Sequence, residues 1–262
     1  MDNVDDIYPL TPSQAGILYH TLRSDDPALY FEQVRADLEG DLDIAAFKTS
    51  WDRTFARHAA LRAVFVWQGL DEPLQVVRSQ VELPWIEVDL RSIDVEDVDA
   101  ELQAICDAER RKGINLSKAP TSSFVLVRVD ESTWHFVWNF HHIALDGWSV
   151  VRIFDETMDS YSRPDVERHE PPPFKRHVEW LLGHDHVQTE RFWRDRLAGF
   201  ESPTSLRFGT ADQTADFELG RLEIDLSRSE TAKIVEFARR SRVTVNTLVQ
   251  AAWAVVLGRY SG

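Results

Sequence analysis

A chain of 262 residues is long enough for one large domain or two modest ones around a sizeable hydrophobic core. Hydrophobic residues make up 43% of it and charged residues 28%, the balance of an ordinary soluble globular protein. The formal net charge of -15 argues against a nucleic-acid surface, which needs clustered Lys and Arg.

Tyr8 to Leu22 mixes turn chemistry ("YPLTPSQ") with an apolar spacing, Ile17, Leu18 and Leu22, that suits a helix. Ahead of it, "MDNVDDIYPL" has no basic region and no long apolar run, so no signal peptide is expected. No stretch of the chain reaches membrane-span length either, and the expected location is cytoplasmic. Glu32 to Leu38 alternates, with Val34, Ala36 and Leu38 on one side, and predicts a strand. Asp43 offers an N-cap to a helix whose apolar face is Ile44, Phe47, Trp51 and Phe55. "LRAVFVW" (61–67) predicts a strand with Leu61, Ala63, Phe65 and Trp67 on one face, and "PLQVV" and "WIEVDL" predict two shorter ones.

Val95 to Arg111 reads as an acidic amphipathic helix and contains the single cysteine, Cys106. One thiol forms no internal disulfide, as expected of a reducing compartment. The acids of "ELQAICDAERR" would raise its pKa, which favours a buried packing role over a nucleophile. Strands at 123–129 and 133–142, joined by Asp130-Glu131-Ser132, predict an antiparallel hairpin. From Gly147 the apolar spacing becomes helical. The Pro-rich stretch 163–173 is the best linker candidate, with helices expected at 174–184 and 187–198, a strand at 216–226, and helices at 229–240 and 245–260. The last helix is apolar nearly all round and wants burial on most faces, so the sequence looks cut off inside a second domain.

"NFHHIALDGWS" (139–149) lies where a strand ends and a helix begins, and three readings are open for it. The histidines can be hydrogen-bonded core residues at a strand end. They can be metal ligands with Asp146, although adjacent strand residues point to opposite faces and do not easily reach one ion. Or one histidine is structural while the other positions a nucleophile or handles its proton, with Asp146 holding the turn and Gly147 allowing close approach. No Ser or Cys sits in an elbow motif, so direct transfer between two bound substrates fits better than a covalent intermediate.

"HHIALDG" (141–147) resembles the HHxxxDG motif of the condensation-domain superfamily of nonribosomal peptide synthetases, which shares its fold and motif with chloramphenicol acetyltransferase. "YPLTPSQAGILYHTL" (8–22) resembles the family's opening motif and "RHAALRAVF" (57–65) its second. "FKRHVEWLLGHDHVQTERFWRDRLAGFESPT" (174–204) and "VTVNTLVQAAWAVVLGRYSG" (243–262) resemble later family segments in the family's order. The implied fold is α/β: a chloramphenicol-acetyltransferase-like lobe with a mixed sheet flanked by helices, plus the start of a second similar lobe. The implied division is a first lobe over 1–163, connecting helices over 164–215, and an incomplete second lobe over 216–262.

The resemblance implies that His142 is the histidine beside the reacting groups, with Gly147 at the reaction centre. It implies that His141 is structural and that Asp146 forms a salt bridge with Arg62. The implied reaction is amide formation between a donor acyl or peptidyl thioester and the amine of an acceptor aminoacyl thioester. Both ride on 4'-phosphopantetheine arms of donor and acceptor carrier proteins, so no cofactor is expected on the chain itself. The other implied partners are neighbouring synthetase domains. Heterocyclising relatives carry aspartates in place of the histidines, the flank "DGWSVV" is less like epimerising domains, and the opening motif leans toward a donor ending in a D-residue. A non-catalytic carrier-binding fragment and a coenzyme A-dependent acyltransferase of the same fold are the competing readings. The apolar last helix predicts self-association, to be read by sizing with light scattering.

Overall fold

The computed structural model describes residues 3–202, 204 and 224–261. The chain divides into two compact units, Met1–His184 and Asp185–Gly262.

The first unit opens with strand β1 (Asp6–Pro9) and helix α1 (Pro12–Arg23). Thr11 and Gln14 form a reciprocal capping box: the Gln14 N–H donates to Thr11 Oγ1 and the Thr11 N–H to Gln14 Oε1, with Pro12 at the first helical position. Strand β2 (Phe31–Glu39) and helix α2 (Ile44–Arg57) follow, α2 capped by the expected Asp43. A 3-10 turn at Ala59–Arg62 leads into β3 (Ala63–Val66). The expected 61–67 strand is therefore shorter. Leu61, in the turn, joins the core of α2, whereas Ala63, Phe65 and Trp67 pack beside α1.

Strands β4 (Leu74–Val77) and β5 (Trp85–Asp89), helix α3 (Val95–Lys112), strands β6 (Ser122–Arg128) and β7 (Thr133–His141), and helices α4 (Gly147–Ser162) and α5 (Phe174–Leu182) complete the unit. Two sheets result, one ordered β1-β4-β3 and the other β2-β7-β6-β5. The second is mixed. β6 and β7 form the expected antiparallel hairpin, while β5 runs parallel to β6 and needs the α3 crossover to get there. Gly113 ends α3 at φ +65°, where a Cβ would stand 2.7 Å from the Pro27 carbonyl oxygen, so glycine alone fits.

The two faces of β7 have different fates. Trp134, Phe136, Trp138 and Phe140 face the core under α2 and α4, around a fully buried Trp51. The Trp51 ring lies 4.9 Å from both Phe124 and Trp138 and 5.4 Å from Phe136, centroid to centroid. Val137, on the other face, packs with Cys106, Val125 and Val127 under α3. The 163–173 stretch has no helix or strand but is tied down: Arg53 donates to the Pro164 carbonyl, Arg57 to that of His169, and Arg168 pairs with Asp159. Val178 of α5 packs on Tyr8 and Val77.

The second unit holds α6 (His186–Arg196), α7 (Arg228–Arg240) and α8 (Val245–Tyr260) among its described residues. The strand expected at 216–226 lies outside the described residues up to 223, and 224–226 carry no strand. Val249, Trp253, Val255 and Val256 of α8 are exposed. No described helix is long and apolar enough to cross a membrane.

Trp51→Ala removes the ring on which six others converge and is expected to cost about 4 kcal/mol. Trp148→Ala, at a side chain 85% exposed, is expected to change stability by less than about 0.5 kcal/mol. Urea unfolding of the two variants measures the contrast.

Candidate active site

The motif is built at the open end of β7. His141 is the last strand residue, opposite Phe31 of β2, and its N–H donates to the Thr121 carbonyl. The chain then turns. The His142 N–H donates to the Tyr30 carbonyl at 2.9 Å, and the Ala144 N–H closes the turn on the His141 carbonyl at 3.0 Å. Tyr30 holds φ +60°, an uncommon conformation for a residue with a side chain. Asp146 caps α4, its Oδ1 accepting from the Ser149 N–H at 2.8 Å.

The two histidines are held differently. His141 is 2% exposed, and its Nδ1 accepts from the Ile143 N–H at 3.2 Å. Its proton therefore sits on Nε2, which faces Thr21 Oγ1 at 3.3 Å. The Thr21 hydroxyl donates in turn to the Ile17 carbonyl at 2.9 Å, leaving its oxygen free to accept. Burial, and secondarily the neighbouring His142, push the His141 pKa down to about 4, so the ring is neutral at pH 7. His142 is half-buried, and among the described residues none bonds to its imidazole. One ring is committed on both nitrogens and the other is available.

The motif's remaining residues divide as well. The Asp146 carboxyl is held below its usual range by its Ser149 hydrogen bonds and, less, by His142. Gly147 occupies the first position of α4 with open space where a Cβ would project, which leaves room for an approaching group. Among the described contacts Arg62 forms no ion pair with Asp146. It sits in the 3-10 turn at the end of the three-stranded sheet, where its guanidinium bonds Asp5 Oδ2 at 3.2–3.3 Å and the carbonyls of Phe55 and Arg78. The expected Arg62–Asp146 salt bridge is replaced by Arg62–Asp5, and helix capping occupies the Asp146 carboxylate. Cys106 is buried, and burial rather than the neighbouring acids is the main cause raising its pKa.

A cleft of about 820 Å³ lies beside the far half of the motif, lined by Leu145, Ser149 and Arg152 together with Tyr8, Arg62 and Lys175. His142 does not line it. Among the described residues no cluster of three or more His, Cys, Asp or Glu could hold a metal ion.

Four residues at the site were not singled out from sequence. Thr21 meets His141, and Tyr30 carries the carbonyl under His142. Gln14 Nε2 donates to the Ile143 carbonyl at 3.1 Å and pairs with Gln75. Only Gln14 had a sequence signal, the T-x-x-Q capping box inside "YPLTPSQ".

The Condensation domain model matches residues 4–262. The chain belongs to the condensation-domain family. This condensation domain is 39% identical over 267 residues to a linear gramicidin synthase of Brevibacillus parabrevis, covering 99% of the chain and 3% of that protein. It is 33% identical to a mycosubtilin synthase of Bacillus subtilis, over all of the chain and 10% of the relative. The chain thus spans a small fraction of the length of these relatives. Among solved structures, the EpoB cyclization-docking bidomain of Sorangium cellulosum superposes with a TM-score of 0.77 at 22% identity, covering 98% of this chain and 52% of that one. The starter condensation domain of rhizomide synthetase RzmA gives 0.67 at 20% identity, over 77% and 50%. These matches show the fold, and the expected acetyltransferase-like α/β class is the one observed.

The neutral His141 has a consequence for stability. Unfolded, its ring takes a proton near pH 6.5; folded, it does so only near pH 4. Between those values the unfolded state binds more protons, so stability is fully present above about pH 6.5 and falls toward pH 4, by up to roughly 3 kcal/mol. Urea midpoints are expected to drop between pH 7 and pH 5, with a flatter slope in His141→Gln. Equal slopes in both proteins would contradict the neutral buried ring.

Proposed function

We propose that the chain catalyses amide-bond formation between a donor acyl or peptidyl thioester and the amine of an acceptor aminoacyl thioester. Both are carried on 4'-phosphopantetheine arms of carrier proteins, within a nonribosomal peptide synthetase. The observation that carries this reading is the free, half-buried imidazole of His142 beside a fully committed His141, in the motif turn of a condensation-domain family member. Synthetase relatives at 33–39% identity support it.

The amine nitrogen attacks the thioester carbonyl carbon, the carbon–sulfur bond breaks, and the amine proton has to leave. His142 positions the amine and takes that proton, returning it to the departing thiolate. A thioester is already activated toward an amine, so alignment supplies much of the rate, roughly 7–11 kcal/mol in well-oriented systems. Gly147 leaves room at the start of α4, and His141 and Asp146 hold the two ends of the turn.

The test is a single-turnover assay read by intact mass, with donor-loaded and acceptor-loaded carriers mixed with the chain. His142→Ala is expected to lower the rate by at least about 100-fold. An unchanged rate would remove His142 from the chemistry, and absence of product with the unaltered chain would count against catalysis by these 262 residues.

A further inference from the structure

The free ring of His142 is located by very little of its own. Its backbone N–H bonds the Tyr30 carbonyl, and among the described residues none hydrogen-bonds to its imidazole. Its position therefore depends on its neighbours in the turn, His141 before it and Ile143 after it. Both are held from the same helix.

We propose that Thr21 and Gln14, seven residues apart on one face of α1, are positioning residues for the reaction. Thr21 fixes His141 in its Nε2–H form, and Gln14 grips the Ile143 carbonyl, so the pair clamps the turn that presents His142. The inference rests on the reading of His142 as the proton-handling group.

The geometry makes each side chain specific. Thr21 spends its own proton on the Ile17 carbonyl, so toward His141 Nε2 it can only accept. The opposite tautomer would leave the Ile143 N–H facing a second N–H across the ring. Gln14 is equally constrained: its Oε1 accepts from the Thr11 N–H at 2.9 Å and from Gln75 Nε2 at 3.0 Å. Its amide nitrogen is thereby turned toward the Ile143 carbonyl at 3.1 Å and Gln75 Oε1 at 3.3 Å. Gln75 is fully buried in β4 and anchors itself on the Pro9 carbonyl. The clamp thus ties the motif turn, which extends the four-stranded sheet, to the three-stranded sheet through α1. Displacing a reacting group by about 1 Å can cost on the order of 100-fold in rate.

Thr21→Val keeps the shape and removes the acceptor. It is expected to lower the single-turnover rate by about 10- to 100-fold with an unchanged dependence on acceptor-carrier concentration, and Thr21→Ser is expected to restore it. In the chain labelled with ¹⁵N-histidine, His141 is expected to show the neutral Nε2–H tautomer at pH 7 and to lose that purity in Thr21→Val. Gln14→Met is expected to shift the His142 ring signals and slow turnover similarly; if it does not fold, the Thr21 pair decides. A spectrum and rate that Thr21→Val leaves unchanged would overturn the proposal, as would the Nδ1–H tautomer in the unaltered chain. If the unaltered chain makes no amide, the functional reading fails, while the tautomer spectrum separately decides the clamp.

Discussion

His141 fits its place only as an uncharged ring with its proton on Nε2, and the motif turn is organised around that requirement. A protonated ring would put a second N–H against the Ile143 N–H in a site closed to water. The neutral ring instead forms a continuous chain of hydrogen bonds from the Ile143 amide through the imidazole and the Thr21 hydroxyl to the Ile17 carbonyl. Because the adjacent residue needs none of those partners, His142 remains available. The asymmetry between two identical side chains comes from the strand ending between them.

Around this turn the lobe supplies rigidity by two routes. On one face of β7, aromatic rings pack against Trp51 and lock the strand to α2. On the other face, the end nearest the motif is polar: Gln33 donates to Asn139, Asn139 to Ser123, and Ser123 to the Glu109 carboxylate of α3. Buried polar groups of this kind stay in place because each would be orphaned by movement. The strand is thus fixed by packing along its length and by hydrogen bonds at the end that carries the motif.

What sequence reveals here follows the range of each interaction. The spacing of Phe47, Trp51 and Phe55 and the parity of β7 are local patterns, so α2 and the two faces were legible from the residues alone. Leu61 belonged to the wrong pattern because a 3-10 turn, with no strong periodicity, breaks the strand before Ala63. The family motif located the histidines. The partners of those histidines were hidden, since Thr21 and His141 are 120 residues apart and nothing local couples a helix hydroxyl to a strand end. Arg62 failed for the same reason: both Asp5 and Asp146 are distant acids, and only the fold decides which one is near.

Among the described residues strand β2 has β7 as its only neighbour in the sheet, and their paired residues lie about a hundred positions apart along the chain. On the ribosome, β2 emerges roughly 5–20 s before its partner at synthesis rates of ~5–20 residues per second. During that interval its hydrogen-bonding edge is open on both sides, a template for any passing strand. Charged residues at Glu32, Arg35, Asp37 and Glu39 along it keep that waiting edge soluble. The same order of synthesis means that the histidine turn is made well after the Tyr30 carbonyl and the α1 face on which it closes.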